Sequence, residues 1–340
     1  MSGYNSSVGH MIETDELTKH FKSKKGMVKA VDGIALTVAP GELVALLGPN
    51  GAGKSTTLRM LTTLIPPTSG TARVAGFDVV RHQREVRQRI GYIGQGNGAG
   101  HSQRGRDELI SQGRSYGMRV AQARQRAGEL IDSLGLAEVA DRTVSTLSGG
   151  QRRRLDIAMG LIHTPELLFL DEPSTGLDPQ NRANLQEHIL DLRKQRDTTI
   201  VLTTHYLDEA DSMAERVIVI DHGRIIADDT PERLKAIHVG DQIILGFDDE
   251  PTAARAASLL PHHPSRHGAQ LRLAVTGAAR MAPGLLDDLR AHDIPVASIE
   301  VTRPTLDDVF LKLTGRSLRD GVTAELSPAE NGDERELVEV

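Results

Sequence analysis

Residues 48–56 read Gly-Pro-Asn-Gly-Ala-Gly-Lys-Ser-Thr, between the apolar run Leu-Val-Ala-Leu-Leu at 43–47 and a stretch with helical apolar spacing that ends before Pro66-Pro67. The pattern is G-x-x-x-x-G-K-[ST] in a strand-to-helix context, and it constrains the chain more than anything else in the sequence. Gly48, Gly51 and Gly53 allow successive backbone N–H groups to turn inward as a nest for phosphate oxygens. Pro49, Asn50, Ala52 and Thr56 complete the loop, and the helix starting there aims its positive dipole end at the anion. Lys54 adds a point charge for terminal phosphates, and Ser55 offers a hydroxyl to a divalent cation such as Mg²⁺.

A second feature fits the first. Leu-Leu-Phe-Leu-Asp-Glu at 167–172 is an apolar run closed by two acids, as a buried strand presents at its carboxyl end. Asp171 is a candidate for the cation shell, and Glu172 for orienting or deprotonating an attacking water. By itself such a pair is also what a helix N-cap looks like.

The remaining pattern is strand–helix alternation. Residues 12–38 are strand-like around a basic turn at Lys22-Ser-Lys-Lys25, residues 96–165 read mostly helical, and buried-strand candidates follow at 166–172, 198–205 and 216–223. This predicts an α/β fold with a parallel sheet covered on both faces. The composition shifts near residue 238, after which β, α, β, α, β, α patterns recur in a separate small domain over 238–315. Residues 316–340 are expected to form a disordered acidic tail. Of the net charge of −6, residues 319–340 carry −5, with seven acids against two arginines. The rest is near neutral, which argues against nucleic acid as a partner, since that needs a basic footprint. The chain has no cysteine, which excludes thiol catalysis and thiolate metal sites and points to a reducing cytosol. No run of 18 apolar residues and no signal peptide are present, so no membrane span is expected.

Leu-Ser-Gly-Gly-Gln at 147–151 makes the resemblance specific. In isolation those letters also spell a Ser-capped helix start. With the phosphate loop, Gln95 after Arg-Ile-Gly-Tyr-Ile-Gly, the acidic strand end, the run Ser174-Thr-Gly-Leu-Asp178 and His205, the chain resembles an ABC-type ATPase, the nucleotide-binding subunit of an ATP-binding-cassette transporter. The resemblance implies a P-loop NTPase with a RecA-like core, an N-terminal antiparallel β-subdomain and an α-helical signature subdomain over about 96–165, together spanning 12–237. The small C-terminal α/β domain follows. It also implies ATP and Mg²⁺ as ligands, with metal contacts from Ser55, Gln95 and Asp171 and catalysis by Lys54, Glu172 and His205. Ser148, Gly149, Gly150 and Gln151 would complete the ATP site of a second copy, and Asp178 would lie at the dimer interface. The family stacks adenine on a ring upstream of the phosphate loop. Tyr4 lies in the polar start, which leaves Phe21, whose other reading is a small core aromatic.

Within that family, Arg303-Pro-Thr-Leu-Asp-Asp-Val-Phe310, with Thr-Thr-His-Tyr-Leu-Asp-Glu-Ala-Asp at 203–211 and Arg-Arg-Arg-Leu-Asp-Ile-Ala-Met-Gly-Leu at 152–161, resembles the daunorubicin-resistance-type exporter ATPases. The implied activity is ATP hydrolysis driving export of a hydrophobic drug, antibiotic or lipid-like molecule. The implied partners are a separate integral-membrane permease, which would hold the chain at the cytoplasmic face of the membrane, and a second copy of the chain. A regulatory ABC ATPase without transport is the alternative. After Gln95 the family commonly runs Thr-Gly-Arg-Glu-Asn-Leu, whereas here Arg104 and Glu108 replace the Thr and the Asn, in the segment that would face the membrane partner.

Overall fold

The computed structural model describes residues 9–315 apart from 24–25, 97, 101, 262–263 and 276. The segment expected to be a disordered tail, and Tyr4, lie outside the described residues. Two compact units divide between Asp228 and Asp229.

In chain order the first unit holds β1 (Ile12–Ser23), β2 (Gly26–Val38), β3 (Leu43–Leu47), α1 (Lys54–Leu61), β4 (Ser69–Val74), β5 (Phe77–Asp78), α2 (Gln83–Arg89) and β6 (Ile90–Ile93). Then come α3 (Gly105–Ser115), α4 (Val120–Ser133), α5 (Gly149–Leu161), β7 (Leu167–Asp171), α6 (Pro179–Arg196), β8 (Thr199–Thr204), α7 (Leu207–Met213), β9 (Arg216–Asp221) and β10 (Arg224–Asp229). The sheet ordered β10-β9-β3-β8-β7-β6 is the centre of this unit. Its pairs β3–β8, β3–β9, β7–β8 and β6–β7 are parallel. Every residue of β3, β7 and β8 is buried, which is why these strands read as continuous apolar runs. Register sets the functional edge: Leu47 lies opposite Thr204, and Asp171 opposite Thr203. The segments following β3, β7 and β8 therefore emerge side by side at the carboxyl edge, where open α/β sheets bind ligands. A second sheet, ordered β2-β1-β4-β5, is antiparallel, and α3, α4 and α5 form a helical layer between β6 and β7 in sequence.

The second unit holds α8 (Pro231–His238), β11 (Asp241–Gly246), α9 (Glu250–Leu259), β12 (Ser265–His267), β13 (Gln270–Val275), α10 (Ala278–Ala291), β14 (Ser298–Thr302) and α11 (Leu306–Thr314). Its antiparallel sheet is ordered β12-β13-β11-β14. Alternating residues of β13 are buried, and Ile243, Leu245, Leu271 and Leu273 share one core with Ala253, Ala256, Leu285 and Leu289 of α9 and α10. The unit starts at Asp229, not at 238 as the composition shift implies. The reason is α8, whose N-terminus is set by Pro231 and the Thr230 hydroxyl accepting from the Arg233 amide. Its Leu234 is buried, and the helix packs on α11, which buries Leu306, Val309 and Phe310. The sequence shift marks the first strand and misses the helix ahead of it.

Candidate nucleotide site

The loop 48–53 leaves β3 and feeds α1. Gly53, the cap of α1, has φ of 106°, and a Cβ there would lie 2.4 Å from the Ala30 carbonyl oxygen of β2. Only glycine satisfies both demands. Lys54 is 4% exposed, and its ammonium donates to the carbonyls of Gly48 (2.7 Å) and Pro49 (3.1 Å). Burial pushes its pKa down, against the pull of Glu172 and Asp171. The side chain thus folds back on the start of the loop, with its ammonium against the carbonyls of Gly48 and Pro49. Gly51 and Asn50 are exposed on that loop, Ala52 is buried beneath it, and Thr56 is half-buried in the first turn of α1.

Asp171, closing β7, is 1% exposed and collects donors from three elements. Its Oδ1 accepts from Ser55 Oγ (2.8 Å) and Thr203 Oγ1 (2.7 Å), and Tyr92 OH approaches Oδ2 at 3.5 Å. Gln95 Nε2 in turn donates to Ser55 Oγ at 3.2 Å. Ser55, Asp171 and Gln95 therefore converge, the hydroxyl and the carboxylate bringing oxygens to one point and Gln95 reaching it through its amide nitrogen. No cluster of three or more His, Cys, Asp or Glu able to hold a metal occurs among the described residues. One carboxylate, one hydroxyl and one amide suit Mg²⁺ completed by phosphate and water oxygens, so the residues present fit that ion.

Glu172 stands between two cationic or potentially cationic groups. Its Oε1 is 3.5 Å from Lys54 Nζ, its Oε2 is 3.3 Å from His205 Nδ1, and Thr175 Oγ1 donates to Oε2 at 3.2 Å. The His205 approach is close but off the line of a hydrogen bond, which leaves Nδ1 buried without a hydrogen-bond partner. Burial alone would raise the Glu172 carboxyl, but His205, Lys54 and Thr175 together outweigh it and hold the pKa below the ordinary value. Glu172 is an ionised carboxylate at neutral pH, able to accept a proton or orient water. His205 emerges from the end of β8 and packs against Tyr206, over which the Arg182 guanidinium lies 3.7 Å from the ring centroid.

Ser148 caps α5: its hydroxyl accepts from the Gln151 amide (3.3 Å), and Gln151 Oε1 accepts from the Ser148 amide (3.0 Å). A capping box is formed, so the structural reading of these letters is also true. Gly149 is exposed, whereas a Cβ on Gly150 would come 2.5 Å from Asn181 Oδ1. Asn181 belongs to the first turn of α6, which the exposed Asp178 caps by accepting from its amide (2.9 Å) and side chain (2.6 Å). None of the described hydrogen bonds joins Ser148, Gly149, Gly150, Gln151 or Asp178 to the Lys54–Asp171–Glu172 cluster.

Phe21 is half-buried on β1, opposite Val28 of β2, two residues from the Ala30 carbonyl that touches the phosphate loop. It is not among the residues of the buried core beneath that sheet, and Lys19 Nζ lies 5.1 Å from its ring. Sequence reasoning missed Thr203 and Tyr92. Thr203 is fully buried and binds Asp171 while accepting from the Glu172 amide at 2.9 Å. Its only signal in the sequence is a pair of threonines closing an otherwise apolar strand.

A glycine-rich loop at a helix start, an acid bound to its serine and a second acid beside its lysine define a P-loop nucleoside triphosphatase. The ABC transporter family model matches residues 31–175. The chain is 42% identical over 332 residues to the daunorubicin/doxorubicin resistance ATP-binding protein DrrA of Streptomyces peucetius, covering 96% of this chain and 99% of that one. It is 39% identical over 312 residues to the Nod factor export ATP-binding protein I of Paraburkholderia xenovorans, covering 91% and 98%. A dimeric bacterial ABC transporter cassette superposes with a TM-score of 0.60 at 25% identity, over 65% of this chain and 98% of that one. The chain belongs to the ATP-binding proteins of ABC transporters, in the daunorubicin-resistance group, and is an ATPase.

Proposed function

We propose that the chain is the energy-coupling subunit of an exporter, hydrolysing ATP in a head-to-tail dimer to drive efflux of a hydrophobic drug, antibiotic or lipid-like substrate. Among the described residues no helix is long and apolar enough to cross a membrane, so the path belongs to a separate permease that holds the chain at the cytoplasmic face. Lys54 and the amides of 48–56 bind the phosphates, and Phe21 stacks on adenine. Ser55, Asp171 and Gln95 hold Mg²⁺, which when bound offsets phosphate charge. Glu172 accepts the proton of the attacking water, and His205 orients the terminal phosphate and that water. Ser148, Gly149, Gly150 and Gln151 serve the nucleotide of the second copy, and Asp178 lies between the two.

The observation that carries the dimer is the separation within one chain: Lys54, Ser55, Asp171 and Glu172 form one linked cluster, while among the described residues no hydrogen bond joins the cap at Ser148 to it. An anion-binding helix start that its own chain leaves outside the site is suited to a nucleotide held by another chain. The test uses dimers mixed from Lys54→Ala and Ser148→Arg chains. Both lesions fall in one composite site and leave the other intact, so the mixed dimer should occlude one nucleotide where either mutant homodimer occludes none. A mixed dimer that traps nothing, with wild type trapping two, refutes the arrangement. Export is tested separately by co-purifying the membrane companion and measuring dye efflux that depends on Lys54.

A further inference from the structure

Helix α5 carries two buried, oppositely charged side chains one turn apart, and neither belongs to the cluster described above. The Arg153 guanidinium donates to three main-chain carbonyls: Pro173 (2.8 Å), Gly94 (2.7 Å) and Asp171 (3.3 Å). Asp156 Oδ1 accepts from the amides of Gly98 and Ala99, each at 3.0 Å. The two residues are 8% and 4% exposed. Gly94 and Gly98 lie on either side of Gln95, and Asp171 and Pro173 on either side of Glu172. One helix therefore grips the Gln95 loop at both ends and the Glu172 segment at the carbonyls of its two neighbours, Asp171 and Pro173. Arginine suits this task, because its planar fork reaches separate acceptors in fixed directions, whereas a lysine ammonium concentrates its donors at one point. Carbonyls do not neutralise a buried cation. Burial accordingly lowers Arg153 and raises Asp156, each partly offset by the other's charge.

We propose that Arg153 and Asp156 are positioning residues that lock the Gln95 loop and the Glu172 segment to α5, so that both move as one body with the Ser148 end of that helix. The groups proposed to act on one nucleotide are thereby tied to the helix start proposed to act on the other. This rests on the site assignments above, and what it adds is the mechanical link between the two half-sites.

The test compares Arg153→Met, Arg153→Lys, Asp156→Leu and Asp156→Asn in the full chain, by binding of a fluorescent ATP analogue, by kcat and KM, and by amide hydrogen exchange. Arg153→Met and Asp156→Leu leave the phosphate loop untouched, so analogue affinity and KM should stay within about twofold. A small misplacement of the reacting groups should lower kcat by about 10²-fold. Exchange at Gly98 and Ala99 should rise roughly tenfold while 48–56 is unchanged, since the opening is local. Asp156→Asn keeps an oxygen that accepts the same two amides and should restore kcat to within a few-fold of wild type. Arg153→Lys, which keeps part of the grip, should fall between Arg153→Met and wild type, and it carries the test if Arg153→Met does not fold. A kcat for Arg153→Met or Asp156→Leu within a few-fold of wild type overturns the proposal. So does a loss in which affinity, kcat and exchange at 48–56 all change together, which marks general destabilisation. Unimpaired turnover by Glu172→Gln is a different result, and it removes the underlying site assignment instead.

Discussion

Replacing Thr203 with valine removes one hydroxyl while keeping the β-branched shape in a strand position that is fully buried. That hydroxyl donates to Asp171 Oδ1 at 2.7 Å and accepts from the Glu172 amide at 2.9 Å. A hydrogen bond to a charged group contributes about 1.5–3 kcal/mol, and one to a neutral amide about 0.5–1.5 kcal/mol. The amide retains the Thr203 carbonyl at 3.2 Å, so its loss belongs at the low end. Burying an added methyl offsets about 0.8 kcal/mol. The net is a loss of about 2 kcal/mol, and it should lower the melting midpoint of a unit of this size by roughly 4–8 °C. The same change removes one of the bonds that fix each acid at the strand end, so kcat should fall while Lys54-dependent ATP affinity holds. Thr203→Ser keeps both bonds and loses only a methyl, and it should retain most of kcat. Scanning calorimetry and steady-state ATPase assays on the three proteins provide the measurement. A Thr203→Val protein that melts within 1 °C of wild type and turns over normally would show that the hydroxyl holds neither acid.

Glu172→Gln should bind ATP normally but lose about 10²–10⁴-fold in turnover, the range for removal of a general base; hydrolysis within a few-fold of wild type excludes that role. Phe21→Ala should weaken ATP by roughly 1–3 kcal/mol, as for loss of base–aromatic stacking, and Phe21→Tyr should not; equal affinities for all three return the ring to a packing role. Glu209, fully buried with Thr204 and Ser174 donating to Oε2, has its pKa raised because burial outweighs those bonds and the charges of Arg182 and His205. An acid with a raised folded pKa holds its proton more tightly folded than unfolded, so its contribution to stability falls as pH rises above the ordinary 4.5 towards the folded value. Glu209→Gln removes that slope, and the stability difference should shift in favour of Gln as pH rises from about 5 to about 8. A difference that stays flat over that range shows that Glu209 is ionised throughout.

What the sequence displayed plainly was whatever its backbone geometry demands. At Gly53 the chain must take a positive φ against the Ala30 carbonyl, and no other residue does this without strain, so the position is readable as a letter. Asp171 and Glu172 were readable only beside the phosphate loop, since an acidic pair after an apolar run is by itself also what a helix N-cap looks like. Thr203 was not, since threonine is at home in any strand and its bond to Asp171 depends on a register set across 32 residues. Arg153 was hidden by its neighbours: it is the middle of Arg152-Arg153-Arg154, a run that reads as a solvated face until packing buries its central member. The Thr230–Pro231 cap of α8 was a local signal, but assigning that helix to the second unit required knowing that it packs with α11, some 70 residues away in sequence.

The acidic pair also shows how local strain positions chemistry. Consecutive residues of a continuing strand point to opposite faces of the sheet. Yet Asp171 reaches Ser55 and Glu172 approaches Lys54, neighbours in the first turn of α1. The two can face the same loop because Glu172 leaves the strand with φ of +47°, in the left-handed region that a side chain of this kind seldom occupies. Such a conformation costs about 1–3 kcal/mol and persists only where its surroundings over-determine it. Here they do: the Glu172 amide bonds to both the carbonyl and the hydroxyl of Thr203, the carboxylate accepts from Thr175 and lies within 3.5 Å of Lys54, and Arg153 secures the carbonyls of the residues on either side. Relaxing Glu172 into ordinary extended backbone would carry its carboxylate away from the phosphate loop while leaving Asp171 in place. The Asp171 carboxylate would then stay beside Ser55 while the Glu172 carboxylate lost Lys54, so the residues that hold this one turn, and not the two acids alone, set the geometry in which the proposed base would meet bound nucleotide.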